Sequence, residues 1–274
     1  MHTLNDGTTL PDVGFGTYPL RGDEGTAAVL SALDLGYRLI DTAVNYQNED
    51  AVGRAIAQTA VPREEIVVTT KLPGRDHGYD ETLRSFEGSA AALGLDVVDL
   101  YLIHWPNPSV GRYIDAYRAM VRLQADGRVR SVGVSNFTQE HLARVADATG
   151  VVPAVNQVEL HPFFPQVELR AFHAEHGVVT EAWSPLGKAA PVRDAAPVVA
   201  AARAHGVTPA QVVLRWHLQL GVVPIPKSAD PGRQRENLDL QGFVLTEDEV
   251  AAITALGRPD GRLFGGDPNT HEEM

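Results

Sequence analysis

Short apolar runs and longer amphipathic stretches alternate along nearly the whole chain. Runs such as Ile66-Val67-Val68 and Leu100-Tyr101-Leu102-Ile103 are continuously apolar, the pattern of parallel strands covered on both faces. Eight strands are predicted, at 13–15, 38–41, 66–70, 98–103, 131–134, 154–159, 178–183 and 222–224. Helical patterns fall between them, at about 26–35, 49–58, 80–93, 112–125, 139–148, 166–176, 196–205 and 233–238. Ala27, Leu30 and Leu33 have core-facing helical spacing, as do Leu83, Phe86 and Ala90. Eight β/α alternations without a break predict an α/β fold, one closed (β/α)8 TIM barrel spanning 1–274 as a single domain.

Three segments lie outside that repeat. Asp6-Gly7 between β-prone residues reads as the turn of an N-terminal hairpin, placed to plug the bottom of the barrel. Thr208-Pro209-Ala210-Gln211 is a capping box with proline in the first turn, opening one extra helix. Thr246-Glu247-Asp248-Glu249 is a second capping box, opening another to about Leu256. The stretch 257–274, rich in Gly, Pro and Asp, reads as a loop.

Composition narrows the function. The 274 residues are 44% hydrophobic, enough for a large core. A net charge of -12 argues against nucleic acid and acidic membranes as partners. With no cysteine, disulfides, thiolate nucleophiles and Cys-based zinc sites are excluded. The start of the chain lacks the basic and apolar regions of a signal peptide. No apolar stretch approaches the roughly 20 residues of a membrane span. The expected setting is cytoplasmic.

Three predicted strands end in groups that hold or move protons. Leu39-Ile40 runs into Asp41, with Tyr46 five residues on, Ile66–Thr70 runs into Lys71, and Leu102-Ile103 runs into His104. In a parallel barrel these ends share one rim, so chemistry between them becomes possible. A tyrosine near its ordinary pKa of about 10 is a poor proton donor at neutral pH. A nearby ammonium favours the phenolate and lowers that pKa. Lys71 supplies the ammonium, Asp41 the anion that holds it, and His104 a group to orient a carbonyl oxygen. Singly, each residue is more simply a cap, an ion-pair partner or a solvated side chain. Together, in this order, they form machinery for protonating a developing alkoxide.

The chain here resembles the aldo-keto reductases. The matching text is Gly14-Phe15-Gly16-Thr17-Tyr18, Asp41-Thr42-Ala43-Val44-Asn45-Tyr46, Thr70-Lys71-Leu72, Leu102-Ile103-His104-Trp105-Pro106, Gly133-Val134-Ser135-Asn136-Phe137, Asn156-Gln157-Val158-Glu159, Trp183-Ser184-Pro185-Leu186-Gly187 and Ile225-Pro226-Lys227-Ser228. It is most similar to short-looped bacterial members such as the diketogluconate reductases. The resemblance implies reduction of aldehydes and ketones by a nicotinamide dinucleotide. Tyr46 is then the proton donor, Lys71 and Asp41 tune it, and His104 orients the substrate. Ser135, Asn136 and Gln157 would bond the nicotinamide carboxamide, and Trp183 would stack on its ring. Gly16, Thr17, Tyr18, Ser184, Pro185, Leu186 and Gly187 complete the implied cofactor wall. Two positions depart from the family pattern: Trp183 stands where many relatives have Tyr, and Gln47 where a glycine usually follows the catalytic tyrosine.

Lys227, Ser228, Arg233, Glu236 and Asn237 match the family's adenosine end. Lys227 and Arg233 suit a 2′-phosphate clamp, with Arg233 bidentate, and Glu236 and Asn237 would meet the adenine. NADP(H) is therefore expected over NAD(H). Tyr18, Tyr46, His104, Trp105 and Phe137 are expected around a small carbonyl substrate, with the loop at Leu263-Phe264 closing over it. The pattern also excludes alternatives. No Gly-x-Gly-x-x-Gly, Walker A or Tyr-x-x-x-Lys sequence occurs. His173 and His176 read as a solvated helix face, and no metal site is expected. A low-turnover NADP(H)-binding sensor on the same fold has no need of a tuned tyrosine, and a sugar-phosphate isomerase has no need of the Lys227–Arg233 cluster. A monomer is expected.

Overall fold

Strand register explains how distant residues reach one rim. A computed structural model describes residues 1–188 and 190–274. The strands β1 (His2–Thr3) and β2 (Thr9–Leu10) form an antiparallel hairpin. The barrel strands are β3 (Phe15–Gly16), β4 (Leu39–Asp41), β5 (Val67–Leu72), β6 (Val98–Ile103), β7 (Val129–Ser135), β8 (Val155–Glu159), β9 (Val179–Trp183) and β10 (Val222–Ile225). Each pairs in parallel with the next. The ring closes through backbone bonds, Gly14 N donating to Pro224 O at 3.0 Å and Gly16 N to Pro226 O at 3.1 Å. Packing at this seam is close: a Cβ on Gly14 would lie 2.4 Å from Ile225 Cδ1, so that side chain would have to shift.

The helices are α1 (Gly22–Leu35), α2 (Glu49–Gln58), α3 (Tyr79–Leu93), α4 (Tyr113–Ala125), α5 (Gln139–Thr149), α6 (Val167–Glu175), α7 (Ala196–His205), α8 (Pro209–Gln219), α9 (Pro231–Leu238) and α10 (Glu247–Thr254). Both predicted capping boxes form, at Thr208 and Thr246. One assignment changes. The helix opened by Thr208 is not the extra one: α8 packs on β10 as a regular barrel helix, while α7 packs chiefly on α8 and α10. Both have similar apolar content, so sequence spacing alone did not separate them.

Leu4 and Leu10 of the hairpin are buried with Leu39, Leu100, Leu102, Val155 and Val223 in the barrel interior, so the hairpin is a plug. Burying each leucine stabilises by about 1.5–3 kcal/mol, enough to hold so short a hairpin in place. The bottom is thus sealed, and chemistry is left to the opposite rim. Among the described residues no helix is long and apolar enough to cross a membrane.

Candidate active site

The four proton-handling residues meet at the rim where β4, β5 and β6 end. Asp41 closes β4, Lys71 lies in β5 and His104 follows β6. Tyr46 ends a single 3-10 turn, Val44–Tyr46. Lys71 Nζ donates to Asp41 Oδ1 at 2.6 Å, to Thr42 O at 3.0 Å and to the Tyr46 hydroxyl at 3.4 Å. The Tyr46 and His104 rings meet edge to face, 5.6 Å between centroids.

The electrostatics differ in one respect from the sequence reading. Burial pushes Tyr46 up to about 12; Lys71 pulls it down and Asp41 pushes it up, so the net direction is upward. Desolvation in this pocket exceeds the pull of the cation. The cation still matters, because a proton leaving the phenol creates a phenolate beside Lys71. Burial opposes the charge on Lys71, but Asp41 and Tyr46 more than offset it and hold the ammonium above the ordinary lysine range.

The turn that presents Tyr46 ends at Gln47, whose φ of 54° is left-handed. This is the position where the family pattern has glycine. A side chain there costs roughly 1–2 kcal/mol, and the turn keeps its shape despite it.

A cavity of about 470 Å³ opens beside the four residues and is walled by Asn136, Gln157, Trp183, Pro185 and Lys227. Trp183 Nε1 donates to Asn136 Oδ1 at 2.9 Å, which fixes the indole and gives its N–H a partner. Gln157 Nε2 donates to Asp41 Oδ1 and to Glu181 Oε2, both at 2.8 Å. With both amide hydrogens engaged, its Oε1 is left to accept from a ligand. Thr17, Tyr18, Ser184 and Leu186 line the same cavity. Ser135 lies behind that wall, its hydroxyl donating to Gln157 O at 2.7 Å.

A second cavity of about 390 Å³, sharing Leu186, Lys188 and Lys227 with the first, is lined by Lys227, Ser228, Arg233, Glu236 and Asn237. All five predicted residues of this end therefore come together. Arg233 Nε donates to Ser228 Oγ at 3.2 Å, and Glu236 Oε1 accepts from the Thr208 hydroxyl at 2.6 Å. Lys188 and Arg193 also line it, and sequence reasoning missed both. The rarity of lysine was the available signal for Lys188.

Other placements correct the sequence reading. Phe137 is buried against Tyr113 and His141 and does not line the cavity beside Tyr46. His173 is not solvated: it is fully buried and bridges Asn156 Nδ2 at 3.0 Å and Thr180 Oγ1 at 2.8 Å, while His176 is exposed. The Phe264 ring lies near-parallel to Trp183 at 6.1 Å, but neither Leu263 nor Phe264 lines the cavity beside Tyr46. A residue with no sequence signal also enters: Glu273 lines the cavity, with Oε1 3.0 Å from His104 Nδ1. Among the described residues no group of three or more His, Asp or Glu is placed to hold a metal ion.

Residues 12–258 match the model of the Aldo/keto reductase family. The chain is 59% identical over 272 residues to 2,5-diketo-D-gluconic acid reductase B of Corynebacterium sp. (strain SHS752001), covering 99% of this chain and 98% of the relative. An aldo-keto reductase of Mycolicibacterium smegmatis is 49% identical over 269 residues, 98% of this chain and 96% of that one. Among solved structures, a mutant of Gox0644 in complex with NADPH superposes with a TM-score of 0.94 at 49% identity, covering 99% of this chain and 98% of that chain.

Proposed function

The chain belongs to the aldo-keto reductase family, and from that premise we propose specific roles for its residues. The protein is an NADPH-dependent oxidoreductase that reduces carbonyl groups to alcohols. NADPH, when bound, supplies the hydride. Tyr46 gives its hydroxyl proton to the oxygen of the substrate, and Lys71 steadies the phenolate left behind. Asp41 keeps Lys71 charged and in place. His104 holds the carbonyl oxygen beside the Tyr46 hydroxyl. Asn136 and Gln157 bind the nicotinamide carboxamide, backed by Ser135, and Trp183 packs on the ring. Lys227, Ser228 and Arg233 take the 2′-phosphate, with Glu236 and Asn237 at the adenine.

The residues present fit such a cofactor. The cavity beside Tyr46 and the one beside Arg233 share Leu186, Lys188 and Lys227 as walls, and the free Oε1 of Gln157 asks for an N–H donor of the kind a carboxamide carries. The observation that carries the assignment is the Lys71 ammonium, 2.6 Å from Asp41 and 3.4 Å from the Tyr46 hydroxyl, beside the first of those cavities. Its test is Tyr46→Phe. We expect NADPH consumption with a reactive aldehyde to fall by about 10²-fold or more, while NADPH binding, followed by fluorescence, stays near the parent value. Retained turnover would remove Tyr46 from the role.

The substrate is a small aldehyde or ketone, and 2,5-diketo-D-gluconate belongs in the first screen because a relative at 59% identity is named for it. The reading extends to a monomer acting in the cytoplasm without nucleic acid. Every role above falls on one chain, and a net charge of -12 repels polyanions.

A further inference from the structure

The side chain of Gln157 meets the cavity from inside the barrel. Gln157 and Glu181 are register partners in β8 and β9, and both are buried. Gln157 Nε2 donates to Asp41 Oδ1 from across the barrel and to Glu181 Oε2 beside it, each at 2.8 Å. An amide nitrogen carries two hydrogens, and here each has its own acceptor. Asp41 Oδ1 also accepts from Lys71 Nζ at 2.6 Å. One carboxylate oxygen therefore joins the proton-handling cation to the amide.

Two acceptors fix what one cannot. With Asp41 alone, either hydrogen of Nε2 could make the bond, and each choice would swing Oε1 to a different place. Turning the amide over would set Oε1 against carboxylate oxygens, which repel it. With both hydrogens assigned, a single orientation remains. Oε1 is then the one polar atom of the amide left to the cavity that Gln157 lines with Asn136 and Trp183. Glu181 does not line that cavity, so whatever it does there it does through Gln157.

We propose that Glu181 is a positioning residue for the nicotinamide: by taking the second hydrogen of Gln157 Nε2, it aims Gln157 Oε1 at the N–H of the cofactor's carboxamide. The proposal rests on the cofactor reading above. Either charge state of Glu181 serves. Burial, and then Asp41, push its carboxyl up to about 7. Glu181 Oε1 has no hydrogen-bond partner among the described residues, so a proton carried there leaves Oε2 free to accept.

The experiment compares NADP+ with its 3-acetylpyridine analogue, in which a methyl group replaces the carboxamide nitrogen. Binding is followed by quenching of tryptophan fluorescence, since Trp105 and Trp183 line the cavity. The parent should prefer NADP+ by about tenfold, because the analogue leaves Gln157 Oε1 without a donor. Glu181→Leu offers no acceptor and should shrink that preference to about threefold or less. Glu181→Gln keeps an acceptor at this place and should hold most of it. A packing defect would weaken both nucleotides alike and leave the ratio of their affinities unchanged. A second measurement needs no change at Glu181. In cofactor-free parent labelled with 15N at its glutamine side chains, the Gln157 signal is the one lost in Gln157→Glu. Both of its Nε2 hydrogens should exchange with solvent much more slowly than those of an exposed glutamine such as Gln58. Free exchange of either hydrogen overturns the proposal. So does a parent that binds the two nucleotides equally, or a folded Glu181→Leu that keeps the parent's ratio. A parent that binds neither nucleotide instead sinks the cofactor reading, and the exchange measurement still judges the hold on Gln157.

Discussion

Glu181 and Asp41 both accept from the same amide nitrogen of Gln157, so two carboxylates lie within a few ångströms of one another in the closed barrel. Lys71 pairs directly with only one of them. Burial, and then Asp41, push Glu181 up to about 7. Its Oε1 has no hydrogen-bond partner among the described residues. A carboxyl raised above its unfolded value costs stability as pH climbs from its ordinary 4.5 through that higher value. Glu181→Gln should therefore raise the melting temperature at pH 8, where the ionised parent bears the full cost, and change it little near pH 4.5. An equal shift at both pH values would mean that Glu181 is neutral throughout. In the second cavity, Arg233→Ala should weaken NADPH by about tenfold or more and NADH far less, because only the former carries the 2′-phosphate. Fluorescence titration with both cofactors reads the difference directly. At this scale the sequence was most informative about strand-end residues. Asp41, Lys71 and His104 stand out because a polar group breaks an apolar run. Glu181 was invisible, since a lone acid in Val179–Trp183 resembles any half-exposed strand position.

Glycines inside helices show how packing decides what local propensity cannot. Gly53 in α2 faces the end of α3, where an added Cβ would lie 2.6 Å from Leu93 O and 2.8 Å from Ala92 O. Those are backbone atoms that cannot swing aside. Gly88 in α3 is exposed and has nothing within 4 Å. Alanine at the two sites should act with opposite signs. Gly88→Ala is expected to stabilise by about 0.5–1 kcal/mol. Gly53→Ala is expected to destabilise by about 1–3 kcal/mol as α2 and α3 are pushed apart. Urea midpoints for the two variants test this, and a shared sign would contradict the α2–α3 contact. The elements themselves were legible, because strands such as Val98–Ile103 carry apolar runs, helical patterns alternate with them, and each capping box is a local signal. Which of α7 and α8 belongs to the barrel was not, since that depends on which surface each covers.

Whole-molecule behaviour should be governed by histidines that fold without their charge. Burial holds His77, His173 and His217 near a pKa of about 4, below the ordinary 6.5. Above pH 6.5 they are neutral folded or unfolded and contribute nothing to the pH dependence. Below it the unfolded chain binds protons that the folded one refuses, so stability falls from pH 6.5 down to about 4. Three such groups outweigh the opposing trend of Glu181. We expect the thermal midpoint to drop markedly between pH 6.5 and 4.5, in one cooperative transition if residues 1–274 form one domain as we propose. A midpoint flat across that range would refute the neutral-histidine account. Legibility from sequence was poorest at this scale. The Asn107–Glu273 bond joins residues 166 positions apart, and nothing in a Gly-, Pro- and Asp-rich tail indicates where it will dock.

The chain holds only three lysines. Lys71 is fully buried, whereas Lys188 and Lys227 are exposed and both border the two cavities that we propose for the cofactor. Apart from the N-terminal amine, then, every accessible primary amine on this protein borders the site proposed for the nucleotide. Coupling through lysine to an activated-ester resin or dye would then amount to active-site labelling, and the same reagent in the presence of saturating NADPH would be left chiefly with the N-terminal amine, which is exposed.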